Sequence, residues 1–458
     1  MAAGALLIAC SSSGQITIDP NTMGTASVHI SDPATCEAPA GPYSHVYVTI
    51  RGVRAHRSST AGDGDTGWVD LAPGLTPRQV DLLGNADSSC FLASLGSSQL
   101  EAGRYQQIRL LLLDNNSGGL VSNNQCSGND ANCVVLAADG SIHELLLSSE
   151  ANTGIKIPSG QIAGGGFTVD AGQTTDLNID LNACSSVVIL GNGQFRLKPV
   201  LHAGEVSLQT SSVSGRVLDS VTNQPIVGGT VIVALEQNVN GVDRVVQQTT
   251  ADGSGNFVFC PVLDGTYDVV AAAVNGSGVA YAATVTTGVA DGTAMGNIPL
   301  IATTGLSTAV ASINGQITTS TGAAATSADI ELSALQPIGN NVLATIPLAT
   351  QSAVTLSLAT AADAACPVNT NCASYTLSVP GLNPNVGAFN SGGTTYTQNI
   401  VDPVGYTVGA RAFVPLSGGT ANCNPSELTT NTLQGGGALV VTPGASVTAS
   451  TLAFTACQ

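Results

Sequence analysis

Residues able to do charge-based chemistry are scarce in this chain, and they are unevenly placed. There are 12 Lys+Arg against 30 Asp+Glu. Every base but Arg411 lies between Arg51 and Arg244. Arg104, Arg109, Lys156, Arg196 and Lys198 stand out. Gathered on one sheet face, they could clamp an anionic sugar or a carboxylate, because guanidinium forks match such oxygens. The preferred alternative is structural: these cations pair with Asp81, Asp176 and Asp180 at half-buried strand positions. In Gly62-Asp63-Gly64-Asp65-Thr66-Gly67, Asp63 and Asp65 could hold a structural Ca²⁺ with backbone oxygens. A solvated hairpin tip is the favoured reading, so no cofactor is expected.

Enzymatic motifs fail one by one. The same glycine-rich segment has the form G-x-G-x-x-G, but no strand precedes it and no helix follows, which removes the dinucleotide reading. His143-Glu144 lacks the second His of H-E-x-x-H, since Leu147 stands there. No G-x-S-x-G and no phosphate-cradling loop occurs, and Lys156 and Lys198 are the chain's lysines. His29, His45, His56 and His202 stand apart in sequence, and His45 beside Tyr43 and Tyr47 reads as a strand-face packing residue. A dispersed Ser-His-Asp triad is recognised by geometry alone.

The elements that must position these residues are strands. Charged residues make up 9% of the chain, against roughly 25% in ordinary soluble domains. The formal charge of −18 excludes an electrostatic nucleic-acid binder. Val46, Val48 and Ile50 alternate with polar neighbours, as do Leu177, Ile179 and Leu181, so each run predicts a strand with one buried face. Ile108 to Leu113 is nearly continuous apolar and suits a central strand. Turn signals recur at Ala138-Asp139-Gly140, Gly191-Asn192-Gly193 and Leu263-Asp264-Gly265. Only Cys90 to Leu100 reads as a short helix. The predicted fold is all-β: tandem β-sandwich domains, Ig-like or transthyretin-like, with at most one short helix in the first domain.

Eleven cysteines leave ten once Cys10 is set aside. These are Cys36, Cys90, Cys126, Cys133, Cys184, Cys260, Cys366, Cys372, Cys423 and Cys457. An even set fits disulfides in an oxidising compartment. Cys126 with Cys133 and Cys366 with Cys372 would each pin a loop, and Cys423 with Cys457 would tie down the C-terminal segment. Cys36 with Cys90 is the remaining guess, with Cys184 and Cys260 left over. No C-x-x-C occurs, which argues against a metal site.

An internal repeat divides the second half. Ser212-Val213-Ser214-Gly215-Arg216-Val217 is echoed by Ser312-Ile313-Asn314-Gly315-Gln316-Ile317. Thr230 to Leu235 is echoed by Ala328 to Ser333, and Gly265 to Val270 by Val404 to Gly409. Two related modules follow, the second lengthened by an insertion around Cys366–Ser391. Beyond residue 300 the surface is polar but almost uncharged, which leaves strand edges weakly guarded against pairing. Either the disulfides compensate for this, or the module is meant to pack against something.

Three resemblances add to this. Leu7-Ile8-Ala9-Cys10 resembles the bacterial lipobox, whose Cys is lipidated; Ser11-Ser12-Ser13-Gly14-Gln15 then supplies a flexible tether, although no basic n-region precedes it. Residues 212–300 resemble the carboxypeptidase regulatory-like (transthyretin-like) family through Val213-Ser214-Gly215-Arg216-Val217, Asn223-Gln224-Pro225-Ile226, Thr250 to Phe257 and Gly265-Thr266-Tyr267-Asp268-Val269. Tyr267 would reach back to cap a loop. Residues 25–203 are similar to an uncharacterised domain family of bacterial lipoproteins. Its carriers include Val46-Tyr47-Val48-Thr49-Ile50, Gly67-Trp68, Gly103-Arg104-Tyr105 and Asn182-Ala183-Cys184-Ser185. That family implies a lipoprotein context and no known activity.

The expected organisation is a truncated lipoprotein signal remnant (1–9), a lipidated Cys10 and tether (10–24), an uncharacterised β-domain (25–208), a regulatory-like sandwich (209–302) and a divergent second sandwich (303–458). The function expected is a non-catalytic, membrane-anchored surface or periplasmic lipoprotein, bound to the outer membrane through its lipid, acting as a ligand-binding or structural module. A cell-surface adhesin or matrix component engaging carbohydrate or a neighbouring surface protein is the alternative. A hydrolase with accessory sandwiches is the least favoured.

Overall fold

The computed structural model describes residues 22–31, 43–84, 90–147, 154–181, 183–190, 193–197, 201–206, 211–302, 310–349, 353–398, 404–413 and 422–457. The fold is all-β, built as tandem β-sandwiches. Helical structure among the described residues is limited to Ala183–Ser186 and short 3₁₀ turns. No helix among them is long and apolar enough to cross a membrane.

The first sandwich packs one sheet, ordered Leu201–Val206, Thr174–Leu181, Met23–Ser31 and Ala93–Glu101, against a larger one. The larger sheet runs from Ile155–Ile157 through Gln107–Leu112, Tyr43–His56 and Cys133–Leu136 to Val187–Ile189. The alternating runs behave as their patterns require. Val46, Val48 and Ile50 meet Leu177, Ile179 and Leu181 in one core, all fully buried. Gln107–Leu112 is buried throughout, as the nearly continuous apolar run from Ile108 to Leu113 implied. It lies between Tyr43–His56 and Ile155–Ile157.

Cys90 to Leu100 departs from expectation. Ala93–Glu101 is a strand, paired antiparallel with Met23–Ser31. Leu95 and Leu100 both enter the core although they are an odd number of positions, five, apart. A bulge opposite Val28/His29, with Gly96 at φ +144°, makes this feasible. The bulge skips one place in the period-2 pattern, and the resulting spacing imitates a helical period.

The repeat in the second half is structural. Ser211–Asp219 and Val310–Thr319 each take an antiparallel partner on one side and parallel partners on the other. Thr230–Val239 and Asp329–Gly339 occupy equivalent central positions. Tyr267 reaches back as expected, its hydroxyl donating to the Leu263 carbonyl at 2.7 Å.

The two copies share a sheet. Val242↔Leu343 and Asp243↔Ala344 pair in parallel, and the inserted strand Asn385–Ala388 pairs with Thr284–Ala290. Thr230–Val239 is therefore covered on both faces. Val231, Val233 and Leu235 face the second unit's own core, while Ile232 and Ala234 join the core of the third. That is why Thr230-Val231-Ile232-Val233-Ala234-Leu235 is continuously apolar rather than alternating. Each buried Val, Ile and Leu among them contributes about 1.5–3 kcal/mol by leaving water. Two of the weakly guarded strand edges expected beyond residue 300 thus have partners inside the chain.

The first unit is locked to both others through the segment 159–166. Gln248, buried in the second unit, donates through Nε2 to the Gly160 carbonyl at 3.1 Å and accepts the Val354 N–H of the third unit at 3.0 Å. The Gly164 carbonyl accepts from Arg104 of the first unit and from Arg411 of the third. Gly164 and Gly165 hold φ of +69° and +76°, and a Cβ on Gly165 would overlap the Glu331 carboxylate. Asp329 accepts the Ser59 N–H at 2.7 Å and the Ser58 hydroxyl at 2.9 Å.

Four disulfides are described. Cys126–Cys133, Cys366–Cys372 and Cys423–Cys457 are the pairs expected from sequence. The fourth corrects the guess of Cys36 with Cys90, because Cys90 joins Cys260. Proximity in sequence misled: the bridge spans 170 residues and ties the first unit to the second. Cys10, Cys36 and the Cys184 side chain lie outside the described residues. Closing so long a loop restricts the unfolded chain and stabilises the fold by about 5 kcal/mol on the chain-entropy account. Peptide mapping without reduction should recover Cys90 linked to Cys260; recovery of Cys90 linked to Cys36 would contradict the cross-unit bridge.

Candidate functional site

The cations singled out by sequence divide into separate places. Arg109 and Lys156 are cross-strand neighbours, and Arg54 completes a row through the register Arg54↔Arg109↔Lys156. Residues directly opposite on adjacent strands share a sheet face, so these three stand side by side. Arg54 donates to Asp70 at 2.8 Å. Arg109, 8% exposed, donates to Asp63 at 2.6 Å and to the Ala61 carbonyl at 3.3 Å. The Trp68 ring lies over it at 4.8 Å, within range of a cation–π attraction. Burial, then the charge of Arg109, pull the Lys156 ammonium below its usual value, and Asp329 opposes them.

Arg104 is elsewhere, in the joint with the third unit. Burial, and then Arg411 beside it, pull its guanidinium down to about 10. Arg196 is exposed on Phe195–Leu197, several strands away, and Lys198 lies outside the described residues. The carboxylates assigned to these cations have other partners. Asp81 binds His45 at 2.7 Å, Asp176 lies 3.9 Å from His29, and Asp180 accepts from Thr249 at 3.2 Å. His45 also stacks on Tyr47, so it combines strand-face packing with a hydrogen-bond contact to Asp81. Sequence distance hid these contacts, because cross-strand neighbours are seldom close in the chain.

Asp63 and Asp65 sit at the tip between Tyr43–His56 and Val69–Asp70. Asp65 accepts the Gly62 N–H at 2.8 Å, and Trp68 Nε1 donates to the Gly62 carbonyl at 2.8 Å. Asp63 is turned to Arg109, so the two carboxylates serve the tip and its cation. Among the described residues no group of three or more His, Cys, Asp or Glu is arranged to hold a metal ion. Asp139, Ser141 and His143 do meet, with Ser141 Oγ 2.7 Å from Asp139 and 2.8 Å from His143 Nε2. The hydroxyl stands between acid and base, whereas a triad needs the acid to orient the imidazole.

A cleft of about 710 Å³ opens beside the tip, between the two sheets of the first sandwich. Leu100, Val69 and Met23 line it with apolar surface, and His56, Arg57, Asp70, Ser98, Gln99 and Glu101 with polar surface. Arg57 lies 5.4 Å from the Tyr105 ring centre and donates to Glu101 at 3.3 Å. Tyr105 stacks on Phe167 below. Sequence reading singled out none of the polar rim; the Gly67-Trp68 and Gly103-Arg104-Tyr105 motifs that border it were the available signal.

A second polar cluster is buried where the first unit meets the second. Ser31, Asn178, Asp180, His202 and Thr249 line a chamber of about 30 Å³ next to Cys260. Asp180 stands in register between Ser31 and His202. Burial pushes its carboxyl up to about 7, against which the Thr249 hydroxyl acts weakly. The seam between the second and third units holds acids too: Glu236 accepts the Thr345 N–H at 3.1 Å, and burial pushes Asp243 up to about 6.

Residues 23–199 match a family described as a domain of unknown function (DUF4382). No curated protein matches the chain. Among solved structures, a 9R-lipoxygenase from Cyanothece is 15% identical, with 20% of this chain and 16% of that one covered at a TM-score of 0.14. The Bacillus anthracis TIE protein is 10% identical over 94% of this chain and 50% of its own, TM-score 0.15. The shaft pilin SpaA from Lactobacillus rhamnosus GG is 12% identical over 62% of this chain and 99% of its own, TM-score 0.17. The chain thus spans half or less of the first two, and likenesses of this size carry no ligand or activity across.

Two outcomes follow from the site. Arg109→Ala removes the ion pair to Asp63 and uncovers Trp68; it should shift Trp68 emission and lower stability in urea by about 1–3 kcal/mol, whereas exposed Arg196→Ala should stay within about 0.5 kcal/mol. An Asp180 carboxyl raised by burial favours the folded state at low pH, and that contribution is lost as pH climbs from about 4 through about 7. Asp180→Asn should therefore flatten the pH dependence of stability across that window and stabilise the protein above pH 7, read from unfolding midpoints at stepped pH.

Proposed function

We propose that this chain is a non-catalytic, lipid-anchored module of the bacterial outer membrane, facing the periplasm or the cell surface, whose first unit presents a ligand-binding cleft on a rigid three-part β scaffold. The observation that carries this reading is the interlocking of all three units around residues 159–166, with the cleft left open on the first. A scaffold with that many cross-unit bonds holds a binding face at fixed orientation, which suits a protein displayed from a membrane by a tether. The lipobox-like Leu7-Ile8-Ala9-Cys10 would supply the anchor. The four disulfides support an oxidising compartment. Residues 212–300 would serve as a regulatory-like sandwich whose role is structural. One acyl chain gives only marginal attachment, so multiple acylation of Cys10 is part of the proposal. Fractionation of cells expressing the full chain tests it: wild type should sediment with membranes and Cys10→Ala should move to the soluble fraction. Retention of the variant on membranes would remove the anchor from this reading.

A further inference from the structure

We propose that the cleft between the sheets of the first sandwich binds a neutral polyhydroxylated ligand, a sugar ring or short glycan. This rests on the ligand-binding reading above and gives that ligand a chemical class.

The charges around the cleft are already matched. Arg57 is paired with Glu101 at 3.3 Å, and Asp70 with Arg54 at 2.8 Å. Both ring nitrogens of His56 are engaged by the protein itself: Nδ1 accepts the Ser58 N–H at 2.9 Å, and Nε2 lies 2.9 Å from the Thr66 carbonyl. An entering carboxylate or phosphate would give up hydration without meeting a cation that lacks its own counter-ion. A cationic ligand faces the same obstacle from the other side, since both acids are engaged by arginine.

What the rim does offer is hydrogen bonding. The Asp70 and Glu101 side chains are 55% and 67% exposed, and each carboxylate has acceptor positions beyond the one its arginine uses. Ser98 and Gln99 add groups that both donate and accept. Hydroxyl groups satisfy such a rim without carrying charge. Leu100, Val69 and Met23 provide an apolar wall for the C–H face of a ring. An acyl chain would cover that wall but strip water from the polar rim with nothing in return. The cleft volume of about 710 Å³ lies within the ~300–1,000 Å³ usual for small-ligand sites.

The protein carries its own reporter. Trp68 is the single tryptophan, it stands between the cleft residues Gly67 and Val69, and its ring lies 5.1 Å from that of His56. Trp68 emission of the full chain can be titrated with neutral mono- and oligosaccharides, galacturonate, inorganic phosphate and decanoate. A saturable change with at least one neutral saccharide is expected. Asp70→Asn and Glu101→Gln should each weaken it at least tenfold, and Ser98→Ala, which leaves the ion pairs intact, should weaken it measurably. Arg196→Ala should bind as wild type. Saturation by galacturonate, phosphate or decanoate with every neutral saccharide silent would overturn the ligand class while keeping the cleft as a binding site. Silence of all probes would overturn both.

Discussion

One side-chain amide touches all three parts of this protein. Gln248 belongs to the second unit, donates to Gly160 of the first and accepts from Val354 of the third. A buried amide that lost either partner would leave a polar atom without a bond, at a cost of about 1–3 kcal/mol, so the junction rewards only the arrangement in which all three meet. The neighbouring Gly164 carbonyl repeats the logic with charge, taking Arg104 from one side and Arg411 from the other. Glycine at 164 and 165 is required there by positive φ and by the closeness of Glu331. The cross-unit disulfide is close by, since Cys260 lines the same chamber as Gln248.

The scarcity of charge acquires a meaning from that arrangement. In a chain with 12 bases, Arg104, Arg244 and Arg411 sit at joints between units rather than on open surface. Arg244 of the second unit and Arg411 of the third both bind Glu427. Apolar surface is used the same way, since Ile232 and Ala234 point out of their own sandwich and into the next. What looks in sequence like a weakly protected, uncharged strand surface is in part an internal interface.

Local features were legible and distant ones were not. The strands with alternating or continuous apolar runs, the internal repeat, the Tyr267 corner and the short-range disulfides each depend on residues close in the chain, so pattern and spacing reveal them. The strand at Ala93–Glu101 was hidden by a bulge that breaks its period. Cys90–Cys260, His45–Asp81 and Arg109–Asp63 join residues that only the fold brings together. For the candidate site, two of the five sequence-selected cations, Arg109 and Lys156, do stand side by side. The cleft rim of His56, Arg57, Asp70 and Glu101 was invisible, because no short motif encodes the gap between two sheets.

Scanning calorimetry of the full oxidised chain measures the interlocking most directly. Units joined by Gln248, the Gly164 carbonyl, a shared core and a disulfide should melt together in one endotherm, with equal calorimetric and van't Hoff enthalpies. Two or three separable endotherms would show that the units fold independently, and would contradict the account of a single rigid scaffold.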